Sequence, residues 1–189
     1  MSRFTVVYDA CVLYPAPLRD LLLQLATEDL FRACWSNQIH DEWIRNVMAN
    51  RPDLTRQQLE RTRDLMNESV LDSVVTDYEQ FIPAIHLPDE NDRHVVAVAV
   101  RCGASVVVTY NSKDFPPGEL MKYDLEAVHP DAFLIQQFHL SEAKLVGSAR
   151  KVRNRLKNPP LSAEDYLSTL EKQGLPQTVA LLRSFLSLL

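Results

Sequence analysis

The sequence predicts an α/β fold with a central, mainly parallel sheet, followed by a run of helices at the end of the chain. Three observations carry that expectation. Residues 4–8 (FTVVY) and 105–108 (SVVV) are short and rich in β-branched residues, the pattern of strands covered on both faces. Helix-length segments separate the strand-like runs, as in a parallel-sheet protein. Residues 87–115 (LPDENDRHVVAVAVRCGASVVVTYNSKDF) place a helix and a strand between two acidic ends. A helix that packs back on its strand brings such ends together.

The elements read in order as follows. The first strand ends at Asp9, and a loop containing Pro15 and Pro17 follows. In open α/β sheets ligands gather at the carboxyl ends of strands, although an Asp there also caps helices or turns loops. Residues 18–25 (LRDLLLQL) form an apolar helix, and 31–35 (FRACW) a second strand. Ser36 or Asn37 caps the next helix, whose apolar face carries Ile39, Trp43, Val47 and Met48. Glu42 lies beside that face, where a lone Glu is ordinarily a solvated residue. Thr55 with Gln58 offers a capping box for a half-exposed helix over 56–71, and residues 74–87 connect onward.

Asp89 is placed to cap the helix that contains residues 94–101, and Asp92 falls in its first turn. Exposed backbone N–H groups favour acids there. Asp89, Glu90 and Asp92 together exceed what capping requires, and Val95 to Ala99 make the helix apolar nearly all round. A buried helix with so acidic a start calls for counter-charge, which a metal supplies. Gly103 closes the helix, and Thr109, Asn111 and Asp114 follow the next strand, echoing Asp9 after the first. Residues 125–128 read as an edge strand, and Pro130-Asp131 starts a helix through Phe138.

After residue 138 the texture changes. Residues 141–156 form a basic helix, Asn158-Pro159-Pro160 a linker, and Ser162 with Asp165 a capped helix start. Gly174-Leu175-Pro176 is a stop and restart before a last helix over 177–189. That helix carries Val179, Leu182, Phe185, Leu186 and Leu189 on one side, either to cover the body of the domain or to fit a partner groove. The expected division is therefore 1–138 and 139–189.

At 189 residues, 46% apolar and 24% charged, the chain suits one soluble domain with an appendage. Cys11, Cys34 and Cys102 stand apart, which indicates neither a disulfide framework nor a CxxC zinc site and suits a reducing compartment. The start, MSRFTVVYD, is too short in apolar length for a signal peptide, and no run approaches ~20 apolar residues. The expectation is a cytoplasmic protein with no membrane partner. The net charge of −5 divides unevenly: −9 over residues 1–140, +5 over 141–160 and −1 beyond. His40, His86, His94, His129 and His139 show no HxxxH spacing, which argues against zinc.

Read together, VVYDACVLYP around Asp9, HDEW with Glu42, PDENDRHVVAVAV with Asp92, and VVVTYNSKDFP resemble PIN-domain ribonucleases. They resemble in particular the VapC-type toxins of bacterial toxin–antitoxin pairs, over roughly residues 4–130. The tail resembles the helical extensions of one branch of those toxins. The resemblance implies a three-layer α/β/α PIN-like fold. It implies a metal-dependent endoribonuclease hydrolysing RNA phosphodiester bonds, held inactive by a cognate antitoxin of a type II pair and forming a homodimer.

The same resemblance makes Asp9, Glu42 and Asp92 the catalytic acids and the ligands of Mg²⁺ (or Mn²⁺), with Asp89 in support. Hard oxygen donors suit those ions. Thr109 would position the cluster. The family's fourth acid falls where this chain has Asn111, so either Asp114 compensates or the Asn111 amide holds a metal-bound water. Arg93, Lys113, Arg150, Lys151 and Arg153 are candidates for holding the RNA backbone.

An alternative follows from Asn111: a catalytically inactive PIN-fold module that binds RNA or protein. A phosphatase with a nucleophilic Asp after the first strand fits poorly, because Cys11 stands where a second Asp is expected.

Overall fold

All of the expected strands form, and crossovers rather than hairpins set their order. In the computed structural model, which describes residues 4–189, β1 (Thr5–Tyr8), β2 (Arg32–Cys34), β3 (Val106–Val108) and β4 (Glu126–Val128) build one sheet. Its order is β2-β1-β3-β4 and every pairing is parallel. Val6 sits opposite both Ala33 and Val106, and Tyr8 opposite Val108. The two inner strands are buried at every residue, which is why their sequences are apolar throughout. The edge strands each begin on an exposed charged residue, Arg32 and Glu126. β1 pairs with β2 on one side and β3 on the other, so the strand order reverses at β1. Such a reversal opens a crevice at the carboxyl ends of the strands.

The described residues group into two compact units. One runs through Tyr14 and resumes over Phe31–His129; the other is Pro15–Leu30 with Pro130–Leu189. The first unit holds the sheet with α1 (Ala10–Leu13), α3 (Asn37–Asn50), α4 (Arg56–Ser69), α5 (Arg93–Cys102) and α6 (Pro117–Leu120). The second holds α2 (Ala16–Ala26), α7 (Pro130–Leu140), α8 (Glu142–Arg155), α9 (Ala163–Glu171) and α10 (Pro176–Arg183). The division expected after residue 138 falls inside α7. The helix expected over 18–25 is α2, and it packs on α8 and α9.

Local chemistry explains the helix ends of the first unit. The Ile39 amide donates to Ser36 Oγ at 3.2 Å, so Ser36 caps α3. Thr55 and Gln58 form the reciprocal box at the start of α4. Gly103 ends α5 with φ +66, a left-handed turn that strains any side chain, and the Ala104 amide reaches Ala99 O. α5 packs on β1 and β3 and is buried from His94 to Ala99. On α3, Ile39, Trp43 and Val47 are buried as expected, whereas Met48 is 38% exposed.

A buried polar network fixes α3 in place. Trp43 Nε1, which can only donate, reaches His40 Nδ1 at 2.9 Å. The His40 proton therefore sits on Nε2 and goes to Asn67 Oδ1 at 3.0 Å, an oxygen that also accepts from Trp35 Nε1 at 2.8 Å. Burial lowers His40 to about 4, so the ring stays neutral. The end of β2, α3 and α4 are thereby tied together.

The second unit is closed by Asp131. Its carboxylate accepts from the backbone of Thr178 at 2.8 Å and of Gln177 at 3.0 Å, and from Thr178 Oγ1 at 2.7 Å. A buried acid thus satisfies the orphan donors at the start of α10. The expected last helix is shorter than predicted. α10 stops at Arg183, Phe185 leaves helical geometry (φ −112, ψ 20), and only a 3₁₀ turn, Leu186–Leu188, follows. Val179, Leu182 and Leu189 are buried while Leu186 is 38% exposed, so the expected apolar stripe does not continue as one helical face.

Candidate functional site

The crevice at the reversal point is built around Asp9. Its Oδ1 accepts from the Ala10 amide at 2.7 Å, so Asp9 does cap α1. Its Oδ2 accepts from Thr109 Oγ1 at 2.7 Å and from the Cys11 thiol at 3.1 Å. Cys11 Sγ in turn accepts from the Tyr110 amide at 3.3 Å, and Thr109 Oγ1 accepts from the Asn111 amide at 3.0 Å. The turn after β1 and the turn after β3 are therefore laced together through three side chains. Asp9 is 3% exposed. Burial raises its carboxyl above the usual range, the Thr109 and Cys11 hydrogen bonds work against that, and the charge of Glu42 adds to it.

Beside these turns lies an open cavity of about 720 Å³; the buried Asp9 is not part of its lining but acts on Asp92 by its charge. Glu42 from α3, Asp89 and Asp92 from the segment before α5, and Asn111 and Asp114 from the loop after β3 all line it; Asp89 caps the 3₁₀ turn Glu90–Asp92 and not α5 as expected. Asp41, Glu90 and Asn91 line it too, with Gln38, Ile82, His94 and Arg45. Asp92 is pushed up to about 7, first by burial and then by the charges of Asp9, Asp89, Glu42 and Asp114. Glu42 is held from behind: its Oε2 lies 3.3 Å from Nε2 of the buried His94.

The donor set fits a hard divalent cation. It is carboxylate and amide oxygen, and the crowded acids hold Asp92 toward its neutral form until positive charge arrives. The acids face a common space rather than a common point. Among the described residues, no three His, Cys, Asp or Glu groups already converge as a metal cluster. An ion there would complete its shell with water, as Mg²⁺ commonly does.

The other expected site residues divide. Asp89 is exposed, and its Oδ1 is engaged by the Asn91 amide at 2.8 Å and the Asn91 side chain at 2.9 Å. Arg93 is paired with Glu90. Lys113 is exposed and is not part of the cavity lining. Arg150, Lys151 and Arg153 belong to the second unit. Lys151 pairs with Glu28 at 2.6 Å, and the Arg153 guanidinium donates to the carbonyls of Leu189 at 2.8 Å and Leu161 at 2.9 Å. Arg150 is exposed.

Arg45 was not anticipated. It stands three residues after Glu42 on α3, is exposed, and lines the cavity. Helical spacing from Glu42 was the signal for it. Cys11 and His94 were also missed as supports of Asp9 and Glu42: the His94 contact is distant in sequence, while Cys11 stands only two residues after Asp9, in the turn that follows β1.

Residues 5–113 match the PIN domain family, and residues 130–184 match the VapC50 C-terminal domain family. Among curated proteins, the "Putative ribonuclease VapC50" of Mycobacterium tuberculosis (strain ATCC 25618 / H37Rv) is 39% identical over 89 residues. That alignment covers 47% of this chain and 52% of the relative, so the chain spans about half the length of that relative. No solved structure matches the chain.

Proposed function

The chain belongs to the PIN-domain family, and on that premise we propose that it is a metal-dependent endoribonuclease, the toxin of a type II toxin–antitoxin pair. The observation that supports this most is the shared field of Asp9, Glu42, Asp89, Asp92 and Asp114 at the point where the strand order reverses.

Asp9, Glu42 and Asp92 would hold Mg²⁺ or Mn²⁺. Such an ion, once bound, supplies a more acidic water and a Lewis acid for the phosphodiester. The chain's own residues do the rest. Thr109 and Cys11 fix the Asp9 carboxylate by hydrogen bonds, and His94 holds Glu42 against α5. Arg45 offers the cavity a cation for a phosphate oxygen. Asp114 lines the same cavity as Asn111, so the acid absent at 111 is available three residues later. A cognate antitoxin that covers this cavity would exclude RNA. Among the described residues no helix is long and apolar enough to cross a membrane, and the proposed RNA substrate places the protein in the cytoplasm. A homodimer is proposed from the resemblance alone.

A second reading, a non-catalytic PIN-fold module that binds RNA or protein, is favoured by Asn111 and by the acids not converging on one point. The test is cleavage of a mixed RNA by the purified protein with Mn²⁺ or Mg²⁺, beside EDTA and Asp9→Asn controls. Cleavage lost in both controls supports the nuclease. RNA binding without cleavage under every metal condition supports the module.

A further inference from the structure

The loop that brings Asn111 and Asp114 to the acidic cavity also carries Tyr110, which is outside its lining. Tyr110 follows Thr109 at the carboxyl end of β3, and its ring meets that of His129, which follows Val128 at the end of β4. The ring centroids are 5.2 Å apart at an interplanar angle of 76°, an edge-to-face pair within the first unit. The backbone beneath both rings is fixed. The Tyr110 amide donates to Cys11 Sγ at 3.3 Å, and the Thr109 amide to the Val128 carbonyl at 3.0 Å. Tyr110 is half-buried and His129 is exposed, so the pair reaches water.

The surroundings of these rings favour a nucleobase over an apolar partner. Asn111, Ser112 and Lys113, which continue the loop, are exposed and polar, whereas an apolar docking patch would continue in apolar side chains. Two planar rings in a polar loop match the way single strands are held, with bases stacked on aromatic side chains. Charge adds a second reason. The cavity lining is dominated by carboxylates, with Arg45 among them, while Arg93 is engaged by Glu90 and Lys151 by Glu28. A polyanion gains little from phosphate contacts on such a surface. Stacking depends on ring overlap, and every base offers a π-face.

We propose that Tyr110 and His129 form a base-stacking platform beside the cavity, which holds one unpaired nucleotide of single-stranded RNA while a neighbouring phosphodiester lies over the acids. The proposal rests on the ribonuclease reading for its ligand and adds a contact to the base rather than to the backbone. Tyr110 is next in the chain to Asn111, which lines the cavity, so the stacked nucleotide lies beside the one whose phosphate meets the acids. The rings stand on backbone that is ordered before RNA arrives, and stacking on them costs little further ordering. The platform selects unpaired RNA, because a base inside a duplex already has its faces covered by its neighbours.

The test measures RNA binding by the full chain in EDTA and again with Mg²⁺. The probes are a mixed single-stranded RNA carrying 2-aminopurine, a duplex of the same sequence, and an abasic ribose-phosphate oligomer of the same length as the single strand. The wild type should quench the 2-aminopurine on binding, and should bind the duplex and the abasic oligomer each roughly ten-fold more weakly than the single strand. Tyr110→Ala and His129→Ala should each weaken single-strand binding by a similar factor with an unchanged salt slope, which separates lost stacking from a lost cation. Tyr110→Phe should bind as the wild type does. His129 is exposed, so its variant removes nothing from the core, and the wild-type comparisons need no variant to fold. Equal affinity for the RNA and the abasic oligomer, or alanine variants that bind like the wild type, would overturn the platform, favour a protein partner at these rings and leave the ribonuclease reading standing. A wild type that neither binds nor cleaves RNA would overturn both.

Discussion

Thr109 Oγ1 donates to Asp9 Oδ2 at 2.7 Å, joining residues one hundred positions apart at the ends of two neighbouring parallel strands. Thr109 is fully buried and Asp9 nearly so, hence neither can exchange this bond for one to water. The same hydroxyl receives the Asn111 amide, so one side chain sets the position of the carboxylate and of the loop carrying Asp114.

Replacing Thr109 by Val keeps the shape and removes the hydroxyl. It leaves an Asp9 oxygen with only the Cys11 thiol and the Asn111 amide without its acceptor. The expected loss is roughly 1–3 kcal/mol of stability. Thr109→Ser should retain most of it. Thermal unfolding of the two variants checks this; equal melting temperatures would remove the bond from the account of the fold.

Asp92 gives a pH prediction for the metal-free protein. Its carboxyl is raised to about 7 in the folded chain, from an ordinary value of 3.8. The folded state therefore holds a proton that the unfolded state has lost across this window, and stability falls as pH rises through it. Asp92→Asn removes that dependence. Because Asp92 is half-exposed, solvent screening reduces the gain to on the order of 1 kcal/mol above neutral pH. The variant should melt higher than wild type at pH 8 and similarly at pH 4. An equal difference at both values would mean that the neighbouring charges do not act on Asp92.

Cation binding should reverse the same repulsion. Millimolar Mg²⁺ or Mn²⁺ is expected to stabilise the wild type, by about 1.4 kcal/mol at ten times the dissociation constant, and so to raise its melting temperature. Asp9→Asn and Glu42→Gln should each lose most of that rise. A wild type indifferent to either ion in calorimetry would argue against the acids as a cation site.

Arg45 and Arg153 should behave differently although both are arginines. Arg45 lines the acidic cavity, so Arg45→Ala should weaken RNA binding and reduce its salt slope by roughly 1. Arg153 spends its donors on Leu189 O, Leu161 O and Asn154 Oδ1. Arg153→Ala should lower the melting temperature and leave the salt slope unchanged. The reverse outcome would return the tail helix to the RNA-binding candidates.

Asp131→Ala should destabilise the second unit. It strands the amides of Gln177 and Thr178 at the start of α10, at a cost of roughly 1–3 kcal/mol. Asp131→Asn, which keeps an acceptor, should lose less. Hydrogen exchange over α10 would distinguish the two variants.

Much of this was written in neighbouring residues. The apolar runs of β1 and β3, the caps at Ser36 and at Thr55 with Gln58, and the left-handed stop at Gly103 are all local devices. Each depends on atoms within about one turn or one strand, so the sequence determined it. The recurrence of acids after strands also marked where the crevice would lie.

Tertiary structure decided which distant groups meet. α2 follows α1, the short helix that Asp9 caps, yet packs with the helices beyond residue 130. Asp131 caps a helix that begins 45 residues later in the chain. The cavity takes Arg45 in place of Lys113. These pairings follow from strand order and from the direction each helix turns its face. Burial then sets their strength, because removing water makes an unpaired polar group or a crowded charge costly only once the elements have packed.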